Sequence, residues 1–292
     1  MKTGTLMNDT ATDLWPRRVA ILGVGLLGGS VAMSIRRTLP DTVFVGYSRG
    51  LDRLADAVQR GLIDVATDSV EQACAGCDVV VVATPVDRIA AMAVTAAAAT
   101  AADTLITDVG STKAGIVAAV ESDPIARRKF VAAHPIAGSE KSGARYAQAG
   151  LFDQKVIVLT PGDSAGDAIR EKADRFWKLV GGQTITMTAD EHDAHLAAVS
   201  HVPHLVSALV ARMVPPEARS LVGSGWSDIT RVAAGDPEMW TAICHENRAA
   251  VLSELDRLRD ELDRLRETIG AADDAGLTQW LDEAKRIKED RR

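Results

Sequence analysis

A histidine and a carboxylate share the stretch Ala133-His134-Pro135-Ile136-Ala137-Gly138-Ser139-Glu140, which is punctuated by proline and glycine. Histidine is the side chain whose ordinary pKa lies nearest working pH, so it can accept and return a proton there. Upstream stands Gly23-x-Gly25-x-x-Gly28. In this spacing the first glycine permits a tight turn and the second lets the backbone approach a pyrophosphate. The third lets helix and strand pack closely. A proton acceptor downstream of a dinucleotide turn is the equipment of a dehydrogenase.

The glycine pattern is unspecific alone and gains meaning from what flanks it. Arg18–Leu22 reads as a buried parallel strand and Gly29–Leu39 as the helix that follows. That helix would offer free amides and a partial positive charge to phosphates. Further strands are expected at Thr42–Tyr47, Asp78–Thr84, Thr104–Val109, Lys129–Ala133 and Lys155–Leu159, with Thr184–Met187 as one more candidate. Strands alternating with helices predict an α/β, Rossmann-like, doubly wound and mostly parallel sheet.

The cofactor site is expected at Gly23, Gly25, Leu26, Leu27, Gly28, Ser48, Arg49, Thr84, Pro85 and Ser111. An NAD enzyme places Asp or Glu at the end of the second strand, to accept from the ribose hydroxyls. This chain has Tyr47-Ser48-Arg49 there. An arginine with no carboxylate favours a 2′-phosphate, so NADP is preferred over NAD. The competing reading of Arg49 is a solvated surface arginine.

From Thr188 onward the pattern is helical. Thr188-x-x-Glu191 is a capping box. Pro203 should kink the helix it opens, and Pro215-Pro216 should end it. The expected organisation is a flexible extension over 1–16, a dinucleotide-binding domain over 17–188 and an all-α substrate and dimerisation domain over 189–292. Near the end, Val251, Leu255, Leu258, Leu262, Leu265 and Ile269 form an apolar seam of coiled-coil spacing. It reads equally as a subunit interface or as the inner face of an amphipathic helix.

Four further segments carry polar chemistry: Asp108-Val-Gly-Ser111-Thr-Lys113, Glu191-His-Asp193, Ser200-His201-Val-Pro-His204, and Asp228-Ile-Thr-Arg231 followed by Met239-Trp240. With the glycine turn and His134–Glu140, in this order, they make the chain resemble the prephenate/arogenate dehydrogenases of tyrosine biosynthesis. The likeness covers roughly residues 17–248. It implies an NAD(P)-dependent oxidative decarboxylation in which the substrate ring becomes aromatic, carried out by a homodimer. By the matching motifs, His134 would accept the hydroxyl proton. Ser111 would hydrogen-bond His134 or the nicotinamide. Arg231 would grip a substrate carboxylate with its planar fork. His204 would contact the substrate's side chain, with Ser200 beside it. Glu140 and Asp228 would tie the domains together or orient their neighbours, and Trp240 would wall the pocket or steady Arg231. The competing reading of Arg231 is an ion pair with Asp228. The resemblance leaves prephenate and arogenate undistinguished. With only a short charged tail after Ile269, no fused mutase or regulatory domain is expected.

Bulk properties set the boundaries. A net charge of −7 argues against general nucleic-acid binding. No apolar run is expected to reach the roughly 18 residues of a membrane span, and Met1–Arg18 lacks the apolar core of a signal peptide. Three cysteines give no even disulfide framework, so a reducing, cytoplasmic setting is expected, with Cys74 and Cys77 as buried thiols. His192, His195, His201 and His204 have helical spacing that could suit a metal. Hydride transfer needs none, so no metal is expected. Two alternatives stay open: another NADP-dependent hydroxyacid-type dehydrogenase, and a dinucleotide-sensing dimer without turnover.

Overall fold

A computed structural model describes residues 15–138, 141 and 143–290. The chain alternates through β1 (Arg18–Leu22), α1 (Leu26–Arg36), β2 (Val43–Tyr47), α2 (Ala55–Gln59), β3 (Val65–Thr67), α3 (Val70–Cys74), β4 (Val79–Val82), α4 (Val86–Ala98), β5 (Leu105–Asp108), α5 (Ala114–Glu121) and β6 (Phe130–Pro135). It continues with β7 (Val156–Pro161), α6 (Asp167–Leu179) and β8 (Gln183–Thr186). Six helices follow: α7 (Ala189–Leu196), α8 (Val202–Met213), α9 (Ser224–Thr230), α10 (Pro237–Glu246), α11 (Arg248–Gly270) and α12 (Asp274–Glu289).

The strands form one sheet in the order β3-β2-β1-β4-β5-β6-β7-β8. All neighbours are parallel except β6 and β7. The strand order reverses between β1 and β4, and ligands of such sheets sit outside the carboxyl ends of the strands at that reversal. Val79–Val82 is a run of four fully buried valines, as expected of a central strand covered on both faces. Two buried clusters, one on each face, hold the helices to the sheet.

Several expectations are corrected. The first helix starts at Leu26, not Gly29, because Gly28 packs inside its first turn, and it ends at Arg36 ahead of Pro40. Strand β3 was missed because three residues at a sheet edge carry too little periodicity. The flexible extension does not reach residue 16. Trp15 packs edge-on to Phe176 at 6.4 Å, and Thr42 Oγ1 donates to the Pro16 carbonyl. The rest of that extension, 1–14, lies outside the described residues.

The helix expected to bend at Pro203 contains instead a π turn over Ala197–His201, in which Val202 N–H donates to the Ala197 carbonyl. Proline lacks an N–H and its ring crowds the carbonyl four residues back, so the turn before it widens. By length and average hydropathy, Ala189–Met213 is also apolar enough to cross a membrane, contrary to the sequence reading. Its His192, Asp193 and His201 are nevertheless buried in hydrogen bonds to neighbouring elements, so this helix is packed into the fold. Cys74 and Cys77 are buried free thiols, pushed up to about 12 and about 11 chiefly by desolvation.

Candidate active site

The three glycines behave as their spacing requires. Gly23 has φ +104°, and a Cβ there would stand 2.5 Å from the Ala83 carbonyl oxygen. A Cβ at Gly28 would overlap the Gly23 carbonyl and reach 2.7 Å from Ile21 Cγ2. Around Gly25 there is open space, on the N-cap of α1, whose first amides have no side-chain cap. The β4 end is close by, with Thr84 Oγ1 buried and without a hydrogen-bond partner among the described residues. This cradle fits a pyrophosphate and its ribose. Ser48 and the exposed Arg49 follow β2 on the same edge of the sheet, and Leu26 and Leu27 open α1.

The loop after β6 reaches the same turn, where a Cβ at Gly138 would be 3.9 Å from Leu27 Cδ2. His134 therefore leaves its strand beside the nucleotide cradle. Its position is tied to β5 through Asp108. One carboxylate oxygen of Asp108 accepts from Ala133 N–H at 2.9 Å, and the other accepts from Gly110 N–H at 2.8 Å and pairs with Lys113 Nζ. Asp108 and Lys113 are both fully buried.

His134 Nδ1 lies 2.9 Å from His192 Nε2, and His192 Nδ1 lies 2.7 Å from Asp193 Oδ1. Asp193 also accepts from the backbone N–H groups of Lys113 and Ala114, each at 2.8 Å. It thus caps the N-terminus of α5, where the helix dipole favours a negative charge. These contacts fix the tautomers. An ionised Asp193 only accepts, so His192 donates from Nδ1 and a neutral His192 accepts at Nε2. His134 must then donate from Nδ1, which leaves Nε2 with a lone pair free to take a proton. Burial and the nearby Lys113, His192 and His201 hold His134 well below the usual histidine range, so it rests as a neutral base.

Of the two partners expected for Ser111, His134 or the nicotinamide, no hydrogen bond to His134 is formed among the described residues, and His134 Nδ1 is engaged by His192. Ser111 sits in the loop after β5, partly buried. His192 and Asp193 are the residues that sequence reasoning undervalued. The signal was present, since Glu191-His-Asp193 matched the family pattern without being given a role. His192 engages both ring nitrogens in hydrogen bonds and His195 is exposed, so the four helical histidines do not converge. No cluster suited to a metal occurs among the described residues.

The π turn carries the second half of the site. His192 and His204 are twelve residues apart, which in an unbroken α-helix leaves them about 120° apart around the axis. One residue absorbed by the π turn makes the separation equivalent to eleven, about three whole turns, so both point the same way. His204 is buried and stacks on Trp240 at 3.5 Å with a 13° tilt. Gly235 abuts both rings. Ser200 lies within the π turn, partly buried.

Arg231 begins the short 3-10 turn Arg231–Ala234, which packs on α8, and is exposed. Asp228 is exposed on α9, and no ion pair joins it to Arg231 among the described residues. The fork of Arg231 is therefore not committed to Asp228. Glu140 lies outside the described residues. On α11, Val251 is buried and Leu255 packs with it, whereas Leu258, Leu262 and Ile269 are exposed in the single chain. The seam's first turns pack on the chain itself; farther along, Leu265 is half-buried and α12 packs back on α11, while Leu258, Leu262 and Ile269 stay exposed.

Comparison with known proteins adds the following. A family profile described as prephenate dehydrogenase, nucleotide-binding domain, matches residues 31–186. A second, described as prephenate dehydrogenase, dimerization domain, matches residues 188–283. The prephenate dehydrogenase of Bacillus subtilis is 31% identical over 274 residues, covering 91% of this chain and 74% of the relative. The cyclohexadienyl dehydrogenase of Zymomonas mobilis is 32% identical over 281 residues, covering 93% and 95%. Among solved structures, the prephenate dehydrogenase of A. aeolicus in complex with hydroxyphenyl propionate and NAD+ superposes with a TM-score of 0.87 at 33% identity, covering 95% of this chain and all of that one. The arogenate dehydrogenase of Synechocystis superposes with a TM-score of 0.81 at 26% identity, covering 93% and 99%.

Proposed function

This chain belongs to the prephenate dehydrogenase family, and we propose that it catalyses the NAD(P)-dependent oxidative decarboxylation of prephenate to 4-hydroxyphenylpyruvate or of arogenate to tyrosine. The observation that carries this reading is the hydrogen-bonded series Asp193–His192–His134. It leaves the outer nitrogen of His134 as a base beside the nucleotide cradle. A bound nicotinamide would supply the acceptor for the hydride that leaves the ring carbon bearing the hydroxyl. His134 Nε2 accepts the proton of the ring hydroxyl as that carbon becomes a carbonyl, and His192 and Asp193 hold the imidazole in orientation. The ring carboxylate leaves as carbon dioxide; its bonding electrons pass through the ring to the carbonyl oxygen, the ring becomes aromatic, and the resulting phenolate takes a proton back, from the protonated His134 or from water, to become the product's hydroxyl. Arg231 holds a substrate carboxylate in its fork, and His204, backed by Trp240, faces the substrate's side chain. Ser111 serves the nicotinamide side, and Ser200 and Asp228 line or brace the cleft.

The test is formation of reduced nicotinamide with each of the two substrates and each of NAD and NADP. Turnover in any combination supports the reaction and assigns its specificity. No turnover in all four, with cofactor binding intact, overturns the reading in favour of another hydroxyacid substrate or a sensor. The NAD+ complex of the A. aeolicus relative supports a nicotinamide dinucleotide as cofactor. Arg49, with no carboxylate in Tyr47-Ser48-Arg49, supports NADP as the preferred form. Arg49→Ala is expected to raise KM for NADP by about 10-fold or more while leaving NAD nearly unchanged. Equal losses for both would remove Arg49 from a 2′-phosphate site. Arg231→Lys is expected to raise the substrate KM by about 10-fold or more, since a point charge cannot replace a bidentate fork. An unaltered KM would place Arg231 outside the substrate site. The exposed Leu258, Leu262 and Ile269 of the α11 seam and the matched dimerization domain support a homodimer built through the C-terminal helices.

A further inference from the structure

Asn247 is buried, 4% exposed, at the junction between α10 and α11. Its Nδ2 donates to the Asp193 carbonyl at 2.7 Å and lies 3.1 Å from His201 Nδ1. The carbonyl can only accept, so the amide nitrogen faces it, and the second N–H of the same nitrogen points to His201. His201 Nδ1 is then an acceptor, and this buried imidazole carries its proton on Nε2. That N–H finds no hydrogen-bond acceptor among the described residues. The His201 ring stands edge-on to Trp240, with centroids 6.2 Å apart, and Trp240 stacks on His204.

Two groups of residues that must cooperate are thus joined at one side chain. Asp193 anchors the proton-accepting series, and its backbone carbonyl is held by Asn247. His201 ends the π turn, its ring is held by the same amide, and it leads to the Trp240–His204 stack. Trp240 lies on α10, the helix that Asn247 terminates, so the clamp and the wall belong to one element. The segments joined here, α7, the π turn and the α10–α11 junction, are otherwise linked by the small apolar cluster around Ala197, Val202 and Val251.

We propose that Asn247, acting through His201, is a positioning residue that sets the distance between the His134 base and the His204–Trp240 wall. This rests on the reaction proposed above. The fixed Nδ1-acceptor tautomer of His201 is its signature. Burial also holds His201 down, at about 4, so the ring stays neutral and keeps that tautomer at working pH.

The experiment compares the full-length parent with Asn247→Leu, which keeps the volume and removes both donors, with His201→Phe, and with the pair. Misplacement of a substrate wall by a fraction of an ångström is expected to lower kcat/KM by about 10-fold or more, with a rise in substrate KM and no alteration in cofactor KM. Because the two residues act as one unit, the double variant is expected to be no worse than the poorer single. Multiplying losses overturn the proposal, as does a folded Asn247→Leu with parent-like kinetic constants and only a lower melting temperature. Should Asn247→Leu not fold, nitrogen-15 spectra of histidine-labelled parent protein decide. His201 protonated on Nε2 supports the clamp, and His201 protonated on Nδ1 overturns it. An inactive parent refutes the proposed reaction through the substrate assay, a result separate from the tautomer measurement.

Discussion

His134→Asn is expected to lower kcat by about 10²–10⁴-fold while leaving the binding of the dinucleotide intact. Asparagine keeps a polar side chain of similar size and can still hydrogen-bond His192. It has no lone pair basic enough to take a proton from an alcohol. The dinucleotide cradle is built from Gly23, Gly25 and the first turn of α1, which His134 does not hold together. The measurement is kcat alongside a cofactor titration by fluorescence. A loss of cofactor affinity as large as the loss of turnover would mean that His134 serves the fold. Unimpaired turnover would remove it from the chemistry.

The same residue fixes the acid side of the pH profile. Only neutral His134 can accept the proton. Its surroundings disfavour the charged form, by burial first and then by the positive Lys113 and the neighbouring rings. The base form therefore persists to lower pH than for an ordinary histidine. The acid limb of kcat/KM is expected below the usual histidine value near 6.5. A limb at or above that value would mean that the group titrating is another one.

The sheet was legible because its strands are short, apolar and punctuated, and because a parallel sheet covered on both faces demands such strands. Residues Arg18–Leu22 and Val79–Val82 could hardly be read otherwise. The glycine turn was legible because each glycine answers a separate steric demand. His134 and the fork of Arg231 could be singled out by residue type and motif. The motif Glu191-His-Asp193 was visible, but that its histidine partners His134 was not. The separation of 58 positions between His134 and His192 is bridged only by the fold, through an Asp193 that bonds the helix start 80 positions earlier. A chain written in one dimension favours the nearer Ser111. The π turn was half legible. Pro203 announces an interruption, but whether the helix bends or gains a residue depends on what both ends are anchored to. Here His192 and His204 are each held by separate partners, and the extra residue brings them onto one face.

The buried Asp108–Lys113 pair sustains the loops at the site, and Asp108→Asn is expected to destabilise the protein by about 3–5 kcal/mol. The substitution keeps the shape but not the hydrogen bonding. Asp108 accepts from three donors: Ala133 N–H, Gly110 N–H and the Lys113 ammonium. An amide offers one oxygen, so its NH₂ must face a donor on one side or the other. Lys113 meanwhile stays fully buried without a counter-charge. At about 2–4 °C per kcal/mol for chains of this size class, the melting temperature should fall by roughly 6–20 °C. The sign of the pH effect follows. Burial already pulls the Lys113 pKa down, and only Asp108 and, more weakly, Asp193 pull it up. Without Asp108 the folded-state pKa drops further below its unfolded value. The unfolded chain then binds more protons across the interval between the two, so the variant gains stability as pH rises through that interval and loses it as pH falls. The deficit relative to the parent should shrink toward alkaline pH. Asp108→Asn combined with Lys113→Met should cost less than Asp108→Asn alone, because no charge is left stranded. Thermal melts of the three proteins at two pH values test this. A double variant less stable than the single, or a deficit that grows toward alkaline pH, would show that Asp108 matters for its backbone hydrogen bonds rather than for the charge of Lys113.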